Sequence, residues 1–526
     1  MSAGMPLAVL TRQHAEERNR ARWTSGITLV LVLAGLRLVV YAVAGPNYGY
    51  FRDELYYLAC GEHPAWGYVD QPPMIGWLAW LLQHTIGTSL YALRLLPALA
   101  HAGSIFLAGM LARELGGRRW AMFLAALATL MAPIGLAFGH LFTMNAFDPL
   151  LWVAIAYCVV RIVNTGNQRL WLAVGGLTGI TLLNKYGIAF WIVGLIVGVV
   201  LTPLRSSLKQ KWFWLGCLLG AAICLPNFLW QWKHHFPFLE LMRNVRESGR
   251  DVVLGPLGFL KAQLEMIGFA AGILVIASVI YGFTKAGRSY RTLNCAFLVF
   301  LLAIMGLHGK TYYVAAVYPI VFAGGAVGLG AATQKRGWVW VKPLTAVLIA
   351  AISLIYAPMI VPILPVDKFI AYEEKMGIHQ QKFEHQREGK LPQLYADMFG
   401  WEQMVQKVAA YYNTLSPEEK AKTAIFANNY GDAGAIDFFG PKYGLPKSIG
   451  NHQSYWIWGP RQYTGESLIV LGDDDERNMQ TKCASYSIIG TAEYPLSRPD
   501  EWLNIYHCRG FKWNLQEIWP KTKHFN

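Results

Sequence analysis

Between Tyr50 and Pro73 the chain reads YFRDELYYLACGEHPAWGYVDQPP, which places four acids and five tyrosines or phenylalanines between two apolar segments of membrane length. Asp53 and Glu54 are adjacent, and Tyr56, Tyr57, Tyr68, Asp70 and Gln71 follow in the same loop. Carboxylates at a membrane edge usually serve function. This set offers a base, a cation ligand and flat aromatic surfaces, which suit chemistry on a polar sugar at a bilayer interface. The competing reading of Asp53 and Glu54 is an ion pair with Arg52 in a solvated loop.

Other polar groups interrupt apolar runs further along. Asp148 follows His140 and Asn145 and precedes Pro149. It is read either as a second acid facing the first loop or as a plain helix start before proline. Lys185, in LLNKYG, breaks an apolar run of more than 30 residues. A buried ammonium calls for an anion such as a lipid phosphate, and its rival is snorkelling at a helix end. His308, Lys310, Tyr312 and Tyr313 gather donors in HGKTYY, where aromatic anchoring at the interface is the alternative. Arg94 and the run Trp230 to His235 are weaker candidates. Glu62, His63, His140, His234 and His235 match no recognised zinc spacing. Cofactor status stays open, with a divalent cation as the candidate.

The elements that must position these groups are membrane helices. The chain of 526 residues is 54% hydrophobic and only 15% charged, with mean hydropathy +0.30, against roughly 25% charged residues in soluble domains. Eleven apolar segments are expected, at about 25–44, 90–112, 121–139, 149–165, 170–184, 187–203, 212–229, 257–282, 292–307, 312–332 and 343–362. The apolar but short stretch from Pro72 to Ile86 reads as an interfacial helix of the first loop. Arg and Lys collect in the N-terminal segment and alternate loops, which the positive-inside bias makes cytoplasmic. Every candidate reactive group then faces the other, extracytoplasmic side.

Residues 366–526 hold 18 Lys and Arg against 20 Asp and Glu, leaving 28 against 12 in the membrane half, so all of the net positive charge of +14 arises in the membrane part. Basic residues dispersed over loops argue against a nucleic-acid partner. The first 22 residues are polar and Arg-rich, so span one is expected to act as an uncleaved signal anchor. From about Pro365 apolar runs shorten to strand length, at Ala424–Ala427, Ser467–Leu471 and Ser485–Ile489. This predicts an independently folded extracytoplasmic α/β domain over 365–526, with Cys483 and Cys508 paired in an oxidising compartment. Residues 1–24 are expected to be cytoplasmic and 25–364 to form the membrane domain, its first outer loop at about 45–89. Within the tail, Asn428 to Ala435 is read as a strand-to-helix turn or a ligand site, and GNHQSYWIWGP as a sugar contact, an interfacial segment or packing.

Asp53-Glu54 in the first loop, followed by YVDQPP, HLFTMNAFDPLLW, LNKYG and HGKTYYVAAVYP, resembles the GT-C fold glycosyltransferases. The likeness is to the bacterial branch related to protein O-mannosyltransferases, lipid A aminoarabinose transferases and rhizobial galacturonosyltransferases, a family 39-like superfamily. FANNYGDAGAIDFFG and GNHQSYWIWGP in the tail look like its bacterial members. The resemblance implies a polytopic α-helical membrane protein of the GT-C fold, with about 11 spans and a C-terminal α/β domain, in the plasma membrane. It implies transfer of one sugar from a polyprenyl-phosphate carrier to a glycan, lipid or protein acceptor, with inversion. Asp53 would be the base, Glu54 its assistant and Asp148 the second acid. Lys185, His308, Lys310, Tyr312, Tyr313 and Arg94 would hold the donor phosphate and lipid. Tyr56, Tyr57, Tyr68, Asp70, Gln71 and Asn145 would contact sugar and acceptor. A transporter or flippase of lipid-linked glycans is the alternative, although inverted repeats are not visible. A noncatalytic sensor is the third reading.

Overall fold

The computed structural model describes residues 7–249, 251–377, 384–385, 387, 389–472 and 475–526, and of residues 7–23 the helical backbone only. Residues 1–6 of the expected N-terminal segment lie outside the described residues. Among the described residues six helices are long and apolar enough to cross a membrane: Thr24–Ala44, Leu90–Glu114, Met144–Thr165, Lys211–Lys233, Thr311–Lys335 and Val341–Ile360. Three broken pairs and two shorter apolar helices, Leu170–Asn184 and Arg291–Gly306, supply the rest of the eleven expected segments. Helices suit lipid because each satisfies its own backbone polar groups.

The breaks follow local chemistry. Arg119–Met131 and Pro133–His140 meet at 62°, where Pro133 removes a donor and Ala132 leaves the helical region. The segment expected as one span at 257–282 is instead two arms at 106°, Pro256–Ile267 and Phe269–Phe283. Gly268 sits between them at φ +76°. The first arm lies against Thr311–Val317 and Pro133–His140 rather than continuing across. Elsewhere small residues let backbones touch. A Cβ on Gly175 would lie 1.9 Å from the Gly216 carbonyl oxygen, so Leu170–Asn184 and Lys211–Lys233 pack at backbone contact.

The first loop folds into two helices, Arg52–Glu62 and Met74–His84, that pack on each other. The second covers the stretch expected to be interfacial and leaves Trp80, Leu81 and Ile86 about half exposed. The tail carries a mixed five-stranded sheet of β1 (Thr423–Ala427), β2 (Ile449–Gly450), β3 (Ser467–Leu471), β4 (Cys483–Thr491) and β5 (Asn504–Phe511), in order β2-β1-β3-β5-β4. β1 pairs in parallel with β2 and β3, and β5 runs antiparallel to β3 and β4. Cys483 on β4 and Cys508 on β5 form a disulfide.

The tail shares apolar packing with the first loop. One apolar core runs from Leu55, Tyr56, Leu58 and Ile75 of the first loop into Val405, Ile425, Ala433, Ile436 and Ile469 of the tail. Helix Tyr430–Phe439 lies directly on Arg52–Glu62. A Cβ on Gly434 would stand 3.0 Å from the Leu55 carbonyl carbon. The pairing of these helices therefore depends on glycine. Expressed alone, residues 365–526 expose the face that meets the first loop. The fragment is expected to bind a hydrophobic dye and to show weak near-UV circular dichroism, the signature of lost tertiary packing. A sharp near-UV spectrum without dye binding would show that the shared core is dispensable.

Candidate active site

The site begins with a buried ion pair. Glu54, in the first turn of Arg52–Glu62, accepts from the Phe51 N–H and the Phe142 N–H, each at 2.9 Å. Arg94 grips both of its carboxylate oxygens, with Nε at 3.2 Å and Nη2 at 3.1 Å. The same guanidinium donates to the carbonyls of Gly45, Asn47 and Gly49 at 2.9, 3.1 and 2.6 Å. Both side chains are fully buried. This corrects two expectations: Glu54 has no lone pair aimed at an acceptor, and Arg94 has no donor left for a phosphate. Together they anchor the loop.

Asp53 is one residue away and so points about 100° around the helix. Its Oδ1 accepts from the Tyr430 hydroxyl at 2.8 Å, and Arg52 Nε stands 3.6 Å from the same oxygen. The Arg52 guanidinium also lies 5.3 Å from the Tyr430 ring centre. Burial raises the Asp53 carboxyl above its ordinary range, while Arg52 and the Tyr430 hydroxyl bond oppose that rise. Beneath it the Tyr56 hydroxyl is hydrogen-bonded to Asp70 Oδ1 and Ser454 Oγ, both at 2.8 Å. Burial pushes Asp70 up to about 7. Tyr57 lies within electrostatic reach of both Asp53 and Asp70. Two expected sugar contacts are instead loop braces: the Tyr68 hydroxyl donates to the Cys60 carbonyl at 2.9 Å, and fully buried Gln71 reaches Cys60 Sγ at 3.6 Å.

The facing wall comes from the membrane helices. Asp148 opens its helix before Pro149 and accepts from Asn184 Nδ2 at 2.7 Å. Lys185, at the end of Leu170–Asn184, donates to Asn145 Oδ1. Its ammonium lies 5.3 and 4.8 Å from the ring centres of Tyr312 and Tyr313, a cation–π arrangement. Tyr312 is also within electrostatic reach of Asp53. Lys310, expected on the donor phosphate, is paired with Asp251 and Glu384, each at 3.0 Å. His308 stands exposed at φ +55°, at the end of its helix and outside this cluster.

Sequence reasoning missed Tyr430 as a partner of Asp53, and with it Asn184, Asp251 and Glu384. The clue to Tyr430 was Gly431 and Gly434 just behind it, which mark a close helix contact. Among the described residues no three His, Cys, Asp or Glu side chains converge as metal ligands. His63 stacks on Trp458 and His234 on Trp230, at centroid distances of 4.2 and 4.1 Å.

Residues 70–230 match the family model for dolichyl-phosphate-mannose-protein mannosyltransferases. The lipid A galacturonosyltransferase RgtD of Rhizobium johnstonii is 24% identical over 249 residues, which are 46% of this chain and 51% of that protein. The putative mannosyltransferase YycA of Bacillus subtilis is 28% identical over 166 residues, 31% of this chain and 23% of that protein. The matches thus span about half and a quarter of these curated relatives. The crystal structure of ArnT from Cupriavidus metallidurans bound to undecaprenyl phosphate superposes with a TM-score of 0.60 at 13% identity, covering 91% of this chain and 97% of that one. Its apo state gives 0.58 at 14% identity. The chain is a GT-C fold membrane protein. The shared fold takes in both the many-span bundle and the α/β tail, since the superposition covers 91% of this chain.

Arg94→Ala strips the buried Glu54 carboxylate of its partner, and breaking such pairs costs about 3–5 kcal/mol. Its thermal transition in detergent is expected to fall far below that of Asp53→Asn, which keeps a partner for Tyr430. Equal transitions in the two variants would refute the anchoring role of the pair.

Proposed function

We propose that the protein is an integral-membrane glycosyltransferase that moves one sugar from a polyprenyl-phosphate carrier to an acceptor hydroxyl on the extracytoplasmic face, with inversion. Two observations carry this reading: a buried carboxylate, Asp53, held by Tyr430, and an ammonium, Lys185, held by Tyr312, Tyr313 and Asn145. The named activities of RgtD and YycA and the undecaprenyl phosphate bound to ArnT support it.

Asp53 takes the acceptor O–H proton as the acceptor oxygen bonds to the anomeric carbon from the face opposite the phosphate. The bond between that carbon and the phosphate oxygen breaks, and its electron pair leaves with the polyprenyl phosphate. Lys185 lies where it can meet the charge that develops on that oxygen. Asp148 holds Asn184 and, through the neighbouring residue, the direction of the Lys185 ammonium. The Tyr430 hydroxyl fixes the Asp53 carboxylate toward the cleft. Tyr57 and Asp70 line the acceptor side.

Purified protein in lipid, offered a panel of polyprenyl-phosphate sugars and a membrane-extract acceptor, is expected to release free polyprenyl phosphate. Asp53→Asn should lower the rate by about 10²–10⁴-fold, the usual contribution of a general base. A rate that Asp53→Asn leaves intact, with the protein folded, would overturn the assignment. The base must be ionised to act, so the rate rises with pH through the carboxyl's pKa. Because burial raises that pKa, the acid limb should lie above the ordinary carboxylate range. Tyr430→Phe removes a hydroxyl that opposes the rise, so it should move the limb to higher pH. A limb that stays in place would exclude this hydrogen bond as a tuning element.

A further inference from the structure

A pocket lies where the first loop, the end of Lys211–Lys233 and the tail meet. It has a volume of about 230 Å³ and is lined by His63, Ala65 and Tyr68 of the first loop, Trp230 at the end of its span, and Ser454 and Trp458 of the tail. No charged side chain lines it, so it has nothing to neutralise a phosphate and differs in chemistry from the Lys185 wall. The volume is below the roughly 300–1,000 Å³ of drug-sized ligand sites and suits a single small ring.

Its polar groups are few and specific. His63 Nδ1 lies 3.1 Å from the Ala59 carbonyl oxygen, so that nitrogen carries the proton and Nε2 is left as an acceptor. The imidazole stacks on Trp458 at 4.2 Å, and Tyr455 meets the same indole edge-on at 4.6 Å, so the ring is held rigidly. Trp230 and Trp458 are half-buried, and neither spends its indole N–H on a protein acceptor among the described residues. Aromatic rings with unspent donors and one fixed acceptor match a sugar ring, which has an apolar C–H face and a rim of hydroxyls.

The pocket is joined to the acid without opening onto it. Ser454 Oγ on its wall accepts from the Val69 N–H at 3.2 Å and is bonded to the Tyr56 hydroxyl at 2.8 Å. The Tyr56 ring lies 4.8 Å from that of Tyr430. A ring seated here is therefore separated from Asp53 by the fully buried Tyr56. It cannot be the sugar that reacts.

We propose that this pocket binds one neutral sugar ring, held against Trp458 and Trp230 and hydrogen-bonded at His63 Nε2 and the indole N–H groups, as a site separate from Asp53. The assignment rests on the pocket alone and holds whatever reaction occurs at Asp53. Saturation-transfer NMR on the full chain in nanodiscs, with a panel of methyl hexopyranosides, tests it. At least one hexoside should show saturable transfer to its ring C–H protons. Trp458→Ala and His63→Ala should weaken that binding about tenfold or more, equal to about 1.4 kcal/mol. Ala65→Phe fills the space while keeping every aromatic ring, so it should abolish binding without disturbing the elution profile. Asp53→Asn should bind like the parent. Absence of saturable transfer for every hexoside would overturn the proposal. So would binding that survives Ala65→Phe, or binding lost in Asp53→Asn, since either places the sugar elsewhere.

Discussion

The Arg94–Glu54 pair is the constraint on which the rest of the site depends. Between Ala44 and Arg52 the chain has no regular structure, so its carbonyls need donors from elsewhere. Arg94 brings five N–H donors. The five acceptors are the Gly45, Asn47 and Gly49 carbonyls and the two oxygens of Glu54. Glu54 in turn satisfies the N–H groups of Phe51 and Phe142. A buried ion pair is tolerable when its remaining hydrogen bonds are made, and here they all are. One cation thus ties the end of the first span, the start of Leu90–Glu114, the first-loop helix and the turn after His140. Asp53 inherits its position from that knot.

The second constraint comes from the far end of the chain. Tyr430 is 377 residues from Asp53, yet its hydroxyl is the closest hydrogen-bond partner of that carboxylate. The contact is possible because Gly431 and Gly434 let helix Tyr430–Phe439 touch the first-loop helix. A Cβ at Gly431 would lie 2.6 Å from Arg52 Cγ. The tail is accordingly a wall of the site as well as a domain beside it. Its sheet serves as a rigid mount, with Asn429 capping the helix by accepting from the Gly431 N–H at 2.7 Å.

The apolar segments were legible because bilayer thickness imposes a length that hydropathy can measure. Their bends were less so: Gly268 in a long apolar run is visible, but the 106° turn at it depends on what the two arms pack against. Within the loop, the types of Asp53 and Glu54 did not distinguish them. Adjacent residues on a helix face different surroundings, and only the location of Arg94 decides which carboxylate is consumed. Lys310 shows the same limit, because its carboxylates arrive from Asp251 and Glu384 on distant loops. The tail's strands were readable from short apolar runs, but its shared core was not. An apolar face looks alike whether its partner is within the domain or outside it.

The two lysines on the facing wall illustrate why residue type alone does not assign a phosphate ligand. Lys185 and Lys310 are close enough to repel each other. Lys310 resolves that repulsion with two carboxylates, so an incoming phosphate would have to displace them before gaining its charge. Lys185 rests on an amide oxygen and two aromatic faces. Those partners hold the ammonium in place, and Asp148 is the carboxylate within electrostatic reach of it. Under the proposed reading, a phosphate approaching Lys185 meets a cation already held in place. On this argument Lys310 is the structural lysine of the pair, and its two carboxylates bring the loops of Asp251 and Glu384 to the edge of the cleft.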